Sequence, residues 1–486
     1  MGKGRDSFLD KQVVQIYNLL EKSKLQEEGP HVVFTNKQLK KLIIPLIIEQ
    51  FLAVLVGTMD VMMVSQVGEH ATSGVSLIDQ MTFLFVQAFG ALSTGGSIIA
   101  SNYIGQKDEK MASKSADQLL VSTTLIGAII MLFCFIGREF LVDTIYGSID
   151  TNVRDSALIY FLITCISYPF LAAYSGASAL CRAMGDSRIT MRVSIIVNLV
   201  NVSGNALLIM VFKMGTAGVA IPTLVSRILG AVLMYFVVRD KRRPIHTSLS
   251  RKFRFDFGMI RRILKVGIPS GIDGSVFQIG KLLVASLIST LGTVSIAANA
   301  VTNTLSSIVI IPGSAMGLAL ITVVGQCMGA GEADQAVMYT KKIMKYVHLA
   351  VFAMGGLMAL GSPLILRLYN LSDETYEIAK FLIISYSAIA FIDWPESFAL
   401  PNALRAGGDA TYVMTYSMIS MWVFRIGCSY LFVLGFKLGV YGVWAAMYVD
   451  WVFRAIMYVT RFRSRKWMKL LVKKESQDRE VSQNNA

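Results

Sequence analysis

Two carboxylates, Glu49 and Asp60, stand inside the first long apolar run of the chain, residues 42–64. An ionised side chain at the centre of a bilayer is penalised by about 3 kcal/mol on insertion scales, so an acid in such a place is a functional candidate by default. The two are separated by close to three helical turns. On a helix they share one stripe and lie roughly 16 Å apart along the axis. A carboxylate stripe shielded from bulk water is a route for a cation or a proton. The bland alternative puts Asp60 at the membrane surface, capping a turn.

Asp79, in the second apolar run, is a third acid of this kind. The fifth run adds Asn198, Asn201 and Asn205, whose spacing places their amides on one helical face. Those amides suit a hydrated cation or a protonated Asp60, although amides also glue helices together in lipid. Asp60, Glu49, Asn201, Asn205 and Asp79 form the expected cation-coupling group of the first half.

The second half carries Lys281, and Asp393 and Glu396 on either side of Trp394-Pro395. Lys281 is expected to pair with an acid or to be neutral where unpaired, because a lone ammonium in lipid is expensive. A proline beside two acids predicts a bent, partly unwound segment lining a cavity. Asp450 and Arg454 are spaced as an i, i+4 ion pair and read as structural, leaving Arg227 and Arg425 without an assigned role.

Enzyme chemistry finds no foothold. There is no phosphate-loop lysine motif and no paired-histidine metal motif, and only four histidines occur. Ala406-Gly407-Gly408-Asp409 misses the Gly-x-Gly-Asp of intramembrane aspartyl proteases. The five cysteines form neither a disulfide framework nor a zinc pattern. No catalytic residue, metal site or cofactor is expected, other than a coupling H+ or Na+.

The elements that must hold these residues follow from composition. The chain has 486 residues, 54% hydrophobic and 16% charged, against about 25% charged in soluble proteins. Twelve apolar runs are long enough to cross a bilayer, the first at 42–64 and the last at 440–460. The pattern plays twice. Pro45 and Pro269 open corresponding runs 224 residues apart, and Gly105 and Gly329 close corresponding runs at the same offset. Arg182-Ala183 and Gly185-Asp186 return as Arg405-Ala406 and Gly408-Asp409. At that offset Glu49 falls on Asp273, so each half places an acid four residues after its opening proline. Asp60 falls on Val284 and Asp79 on Asn303. Duplicated sets of spans commonly enclose a binding site at their interface.

The predicted fold is an all-α membrane protein of twelve transmembrane helices in two six-helix lobes. Residues 1–36 form a polar N-terminal segment, 37–238 the first lobe, 239–262 a basic linker, 263–460 the second lobe and 461–486 a basic tail. Most of the 46 Lys and Arg fall in the termini, the linker and the even-numbered loops. The positive-inside rule then puts both termini in the cytoplasm, in a multi-pass protein of the cytoplasmic membrane. The basic segments have membrane lipids as neighbours, and no nucleic-acid recognition pattern is present. The 25 methionines suit core packing or an adaptable cavity for varied small organic molecules. A monomer is expected.

The segment from Pro45 to Ser65, the loop at Gly105-Gln106-Lys107, and the loop Arg182-Ala183-Met184-Gly185-Asp186 with its echo at 405–409 resemble the multidrug and toxic compound extrusion family. The resemblance covers about residues 37–460. It implies a pseudo-two-fold axis normal to the membrane, and efflux of organic, often cationic, compounds in exchange for protons or sodium by alternating access. The family's first-helix aspartate lies at the position of Asp60. Asn201 matches an asparagine of the family's first-lobe site, while Asn205 replaces an acid there. In another branch a glutamate and an aspartate bind the cation in the second lobe. Gln278 stands nearest the glutamate and Asp393 nearest the aspartate, with Asp273 or Glu396 as possible substitutes. A flippase for lipid-linked saccharides or another lipid is the alternative, and it requires a cationic central cavity.

Overall fold

The structure, a computed structural model, describes residues 32–147, 149–247 and 253–471. The predicted N-terminal segment up to residue 31, the linker cluster Ser248-Leu249-Ser250 and the tail from residue 472 lie outside the described residues.

In hydrocarbon every backbone polar group must be satisfied within its own segment, so each apolar run becomes a helix. The first lobe consists of α1 (Asn36–Ser65), α2 (Glu69–Gly105), α3 (Glu109–Tyr146), α4 (Thr151–Ile166), α5 (Tyr168–Ala183), α6 (Ser187–Val211) and α7 (Ala217–Arg239). The second consists of α8 (Phe257–Ser289), α9 (Thr293–Val309), α10 (Ile311–Gly329), α11 (Ala333–Arg367), α12 (Asp373–Ala406), α13 (Ala410–Gly435) and α14 (Gly439–Arg463). Thr35 opens α1 with a capping box closed by Gln38. Gly68 and its image Gly292 turn the chain into α2 and α9 at φ values of 130° and 88°, which L side chains rarely adopt.

Two crossings are broken. α4 and α5 bend by 48° at Ser167, just before Pro169. α9 and α10 together repeat α2, but where α2 has Ala88 the second lobe has Pro312, and the helix breaks before it. Proline removes a backbone donor and crowds the preceding turn. Counting each broken pair once gives twelve spans among the described residues, six per lobe, in a multi-pass membrane protein. α14 carries a charged pair, Asp450 and Arg454, and both are buried.

The lobes meet where α2 crosses α8 and α10, toward the end of the bundle that carries Arg182, Arg243, Arg405 and Arg461 (the basic end). Small residues let backbones touch there. A Cβ on Gly329 would stand 1.8 Å from the Asn102 carbonyl, and one on Gly105 2.0 Å from that of Gln326. Thr322 and Gln326 of α10 donate to the carbonyls of Arg182 and Ala183 across the same seam.

The described parts of the linker pack against the first lobe. Ile245 and Thr247 are buried, Thr247 donates to Asp117 of α3, and Gln118 donates to the Arg254 carbonyl. α8 begins at Phe257, ahead of the predicted lobe boundary at 263, because Asp256 caps it by accepting from the Met259 N–H. The chain after α14 also folds back. Trp467 is fully buried against Gly407, the Lys469 N–H donates to the Gly407 carbonyl, and Asn102 of the first lobe donates to the Leu470 carbonyl.

Candidate functional site

Periodicity brings residues of six helices around one void in the first lobe. On α1, Gly57, Asp60, Val61 and Val64 share a face; on α2, Thr72, Val75, Ser76 and Asp79 do. With Tyr160 of α4, Leu171 and Tyr174 of α5, Asn198 and Asn201 of α6 and Arg227 of α7 they enclose a cavity of about 330 Å³.

Asp60 accepts a 2.8 Å hydrogen bond from the side-chain amide of Asn205, which is fully buried. The Asn205 amide also donates to the Asn201 side-chain Oδ1 at 3.4 Å, and the Asn201 amide donates to Thr223 at 3.2 Å. The Asn205 Oδ1 is buried with no hydrogen-bond partner among the described residues. Asp79 accepts from the Tyr160 hydroxyl at 2.9 Å. Arg227 turns away to donate to Ser167 at 2.7 Å, and among the described residues neither acid has a basic nitrogen within 4.0 Å. Two carboxylates and amide oxygens therefore converge on one space, a hard-oxygen set suited to a proton or an alkali cation.

Glu49 departs from its expected place. It keeps the stripe of Asp60, but at its level that stripe faces α6 and the last turn of α5, not the cavity. Its Oε2 accepts from Thr190 at 2.9 Å and its Oε1 lies 3.7 Å from the Arg182 guanidinium. Asp273 is its image, bonded to Arg405, which also donates to Asn402 at 2.9 Å. Both acids are tied to arginines at the basic end.

Lys281 takes the unpaired of its two expected arrangements. Among the described residues no carboxylate lies within 4.0 Å of it. It lines a cavity of about 110 Å³ with Asn299, Asn303, Arg425 and Trp444. Arg425 lies 3.5 Å from Asp450, which pairs with Arg454 at 2.9 Å, so the expected i, i+4 pair is in fact a triad.

Asp393 and Glu396 are partly buried and line neither cavity; Gln278 is likewise partly buried, on the α8 face that meets α2. Pro395 does not unwind its helix but opens a widened π turn, Pro395–Ala399. Glu396 meets the His348 Nε2 at 2.7 Å, while the His348 Nδ1 lies 2.6 Å from the Phe391 carbonyl. Sequence reasoning passed over His348, although a single histidine midway along α11 was the available signal. Tyr160 and Thr223 were missed too, because isolated hydroxyls in apolar runs are common.

Chain comparisons agree with this architecture. Residues 45–207 and 269–431 each match the MatE family, at the same 224-residue offset that relates the two halves. The uncharacterized transporter YisQ of Bacillus subtilis (strain 168) is 27% identical over 431 residues, covering 87% of this chain and 93% of the relative. The probable multidrug resistance protein NorM of Thermotoga maritima is 25% identical over 467 residues, covering 94% and 97%. A crystal structure of MATE in the bent conformation superposes with a TM-score of 0.82 at 19% identity, over 89% of this chain and 96% of the other. A MOP superfamily transporter from Pyrococcus furiosus, described as having a binding pocket of reversed polarity, gives 0.83 at 19% identity, over 90% and 97%. With both halves matching in register and the repeat preserved in three dimensions, the chain belongs to the MatE family.

Proposed function

We propose that this protein is a multidrug exporter of the cytoplasmic membrane that moves organic, cationic or amphipathic compounds outward in exchange for protons or sodium. It acts as a monomer by alternating access, with both termini in the cytoplasm, and Asp60 is the carboxylate that takes up the coupling ion. The observation that carries this reading is the placement of Asp60 inside the first-lobe cavity, bonded to an Asn205 amide whose oxygen is left unsatisfied. A buried acceptor without a partner is costly, by about 1–3 kcal/mol. Protonation of Asp60 or arrival of a cation supplies what that oxygen lacks after an amide rotation. The coupling ion shifts the equilibrium between the two access states only through its differential affinity for them.

Relatives named as multidrug resistance proteins support the substrate class. A flippase for pyrophosphate-linked saccharides fits less well, because the larger cavity presents two carboxylates and one arginine. The test is dye efflux from proteoliposomes under an imposed proton gradient, a sodium gradient, or neither. Equal efflux in all three would overturn ion coupling.

A further inference from the structure

The two cavities are images of each other under the internal repeat, and their charges are opposite. At the 224-residue offset Gly57, Asp60, Val61 and Val64 of the first cavity become Lys281, Val284, Ala285 and Ile288 of the second. Val75 and Asp79 become Asn299 and Asn303, and Asn201 becomes Arg425. Both carboxylates are lost, and two cations appear where the first lobe has a glycine and an amide. Among the described residues the acid beside these cations is Asp450, and it is shared between Arg425 and Arg454.

The neutral groups add to the bias. The Asn299 Oδ1 already accepts from Asn303 at 3.0 Å and from the Trp444 indole at 3.1 Å, which leaves the Asn299 amide N–H groups for a ligand. The cavity is thus a cluster of donors: an ammonium, a guanidinium edge and an amide. At about 110 Å³ it holds a few waters' worth of volume, enough for one small head group but not for a whole drug. The cavity also lies beside the face that α8 turns toward the first lobe. Gly267, Gly271 and Gly274 mark the α8 face that meets α2, and helical spacing carries that face on to Gln278, Lys281 and Ala285, the last two exposed.

We propose that the second-lobe cavity is an oxyanion site: Lys281 and Arg425, assisted by Asn299, bind the carboxylate, sulfonate or phosphate of an amphiphile whose body lies in the cleft between the lobes. Charge-assisted hydrogen bonds to an ionised acceptor are the strongest contacts such a donor set can make. The site deepens the transport reading, and equilibrium binding tests it without involving ion coupling.

Purified protein in neutral detergent is titrated, by fluorescence anisotropy, with a rhodamine bearing a free carboxylate and with its methyl ester. The wild type is expected to favour the carboxylate roughly tenfold. Lys281→Gln should bring the two affinities within about twofold of one another while leaving that of the ester unchanged, and Lys281→Arg should retain the preference. No preference in the wild type, or the same preference in Lys281→Gln, would overturn the site. Should Lys281→Gln bind neither probe, Lys281→Arg decides: recovery of the ester without the carboxylate preference also overturns it. The source of the oxyanion is read in nanodiscs of phosphatidylcholine with and without phosphatidylglycerol. In the wild type, abolition of the preference by phosphatidylglycerol assigns the site to lipid phosphate, and its persistence assigns the site to the transported compound. Failed gradient-driven efflux with intact carboxylate preference would sink the transport reading alone.

Discussion

Asp273 on α8 accepts from the guanidinium of Arg405, repeating in the second lobe the approach of Glu49 on α1 to Arg182. Each acid lies four residues after the proline inside its helix, and each arginine ends the fourth crossing of its lobe. Because Asp273 and Arg405 are largely shielded from water, removing one partner strands the other. Arg405→Ala should therefore destabilise the protein by about 3–5 kcal/mol, read as a lower Tm in detergent. Arg182→Ala should be milder, since Glu49 keeps its bond from Thr190 and its guanidinium partner is farther away. Equal losses at the two sites would contradict this ordering.

Asp60→Asn mimics the neutral carboxyl in size and shape. Gradient-driven efflux should fall at least roughly tenfold, the effect of 1.4 kcal/mol of lost coupling, while dye binding to the purified protein changes little. Unimpaired gradient dependence in proteoliposomes would remove Asp60 from the coupling role.

The seam at the basic end gives a steric prediction. A methyl at Gly329 would stand 1.8 Å from the Asn102 carbonyl, whereas one at Gly57 meets nothing within 4 Å. Gly329→Ala should push α10 away from α2 and lower stability by about 1–3 kcal/mol, with Gly57→Ala near neutral. Spin-label distances across the seam should lengthen in the first variant alone.

A pH effect is expected at the linker. The Lys114 ammonium lies 2.6 Å from Asp256, and together with the Met259 N–H it holds that carboxyl below the usual carboxylate range. A depressed folded value means that the stabilisation is complete above the unfolded pKa, near 4, and is lost as pH falls through the folded one. Hydrogen exchange at the start of α8 should speed up only in that acidic window, and Asp256→Asn should remove the acid dependence.

The twelve crossings and the two-lobe plan were legible because lipid leaves the backbone no alternative to helix and because landmarks such as Pro45 and Pro269 recur at a fixed offset. The Asp450–Arg454 pair was legible for a similar reason, being set by one helix's own geometry. Arg425 was not seen as a member of that cluster, because it arrives from α13 and only packing brings it there. Glu49 shows the same limit from the other side. Its position on the stripe of Asp60 was correct, but which helix faces that stripe changes along its length. His348 meets Glu396 through a widened turn at Pro395, a backbone detail that residue types alone do not encode.

The segment after α14 threads across the join between the halves: Trp467 fills the space over Gly407, and Leu470 takes a hydrogen bond from Asn102 of the opposite lobe. It acts as a stitch sewn through both halves. Any swing that parts α2 from α10 at this end must first unpick it, so the eight described residues from 464 to 471, which touch neither cavity, would add to the work of the proposed change of access.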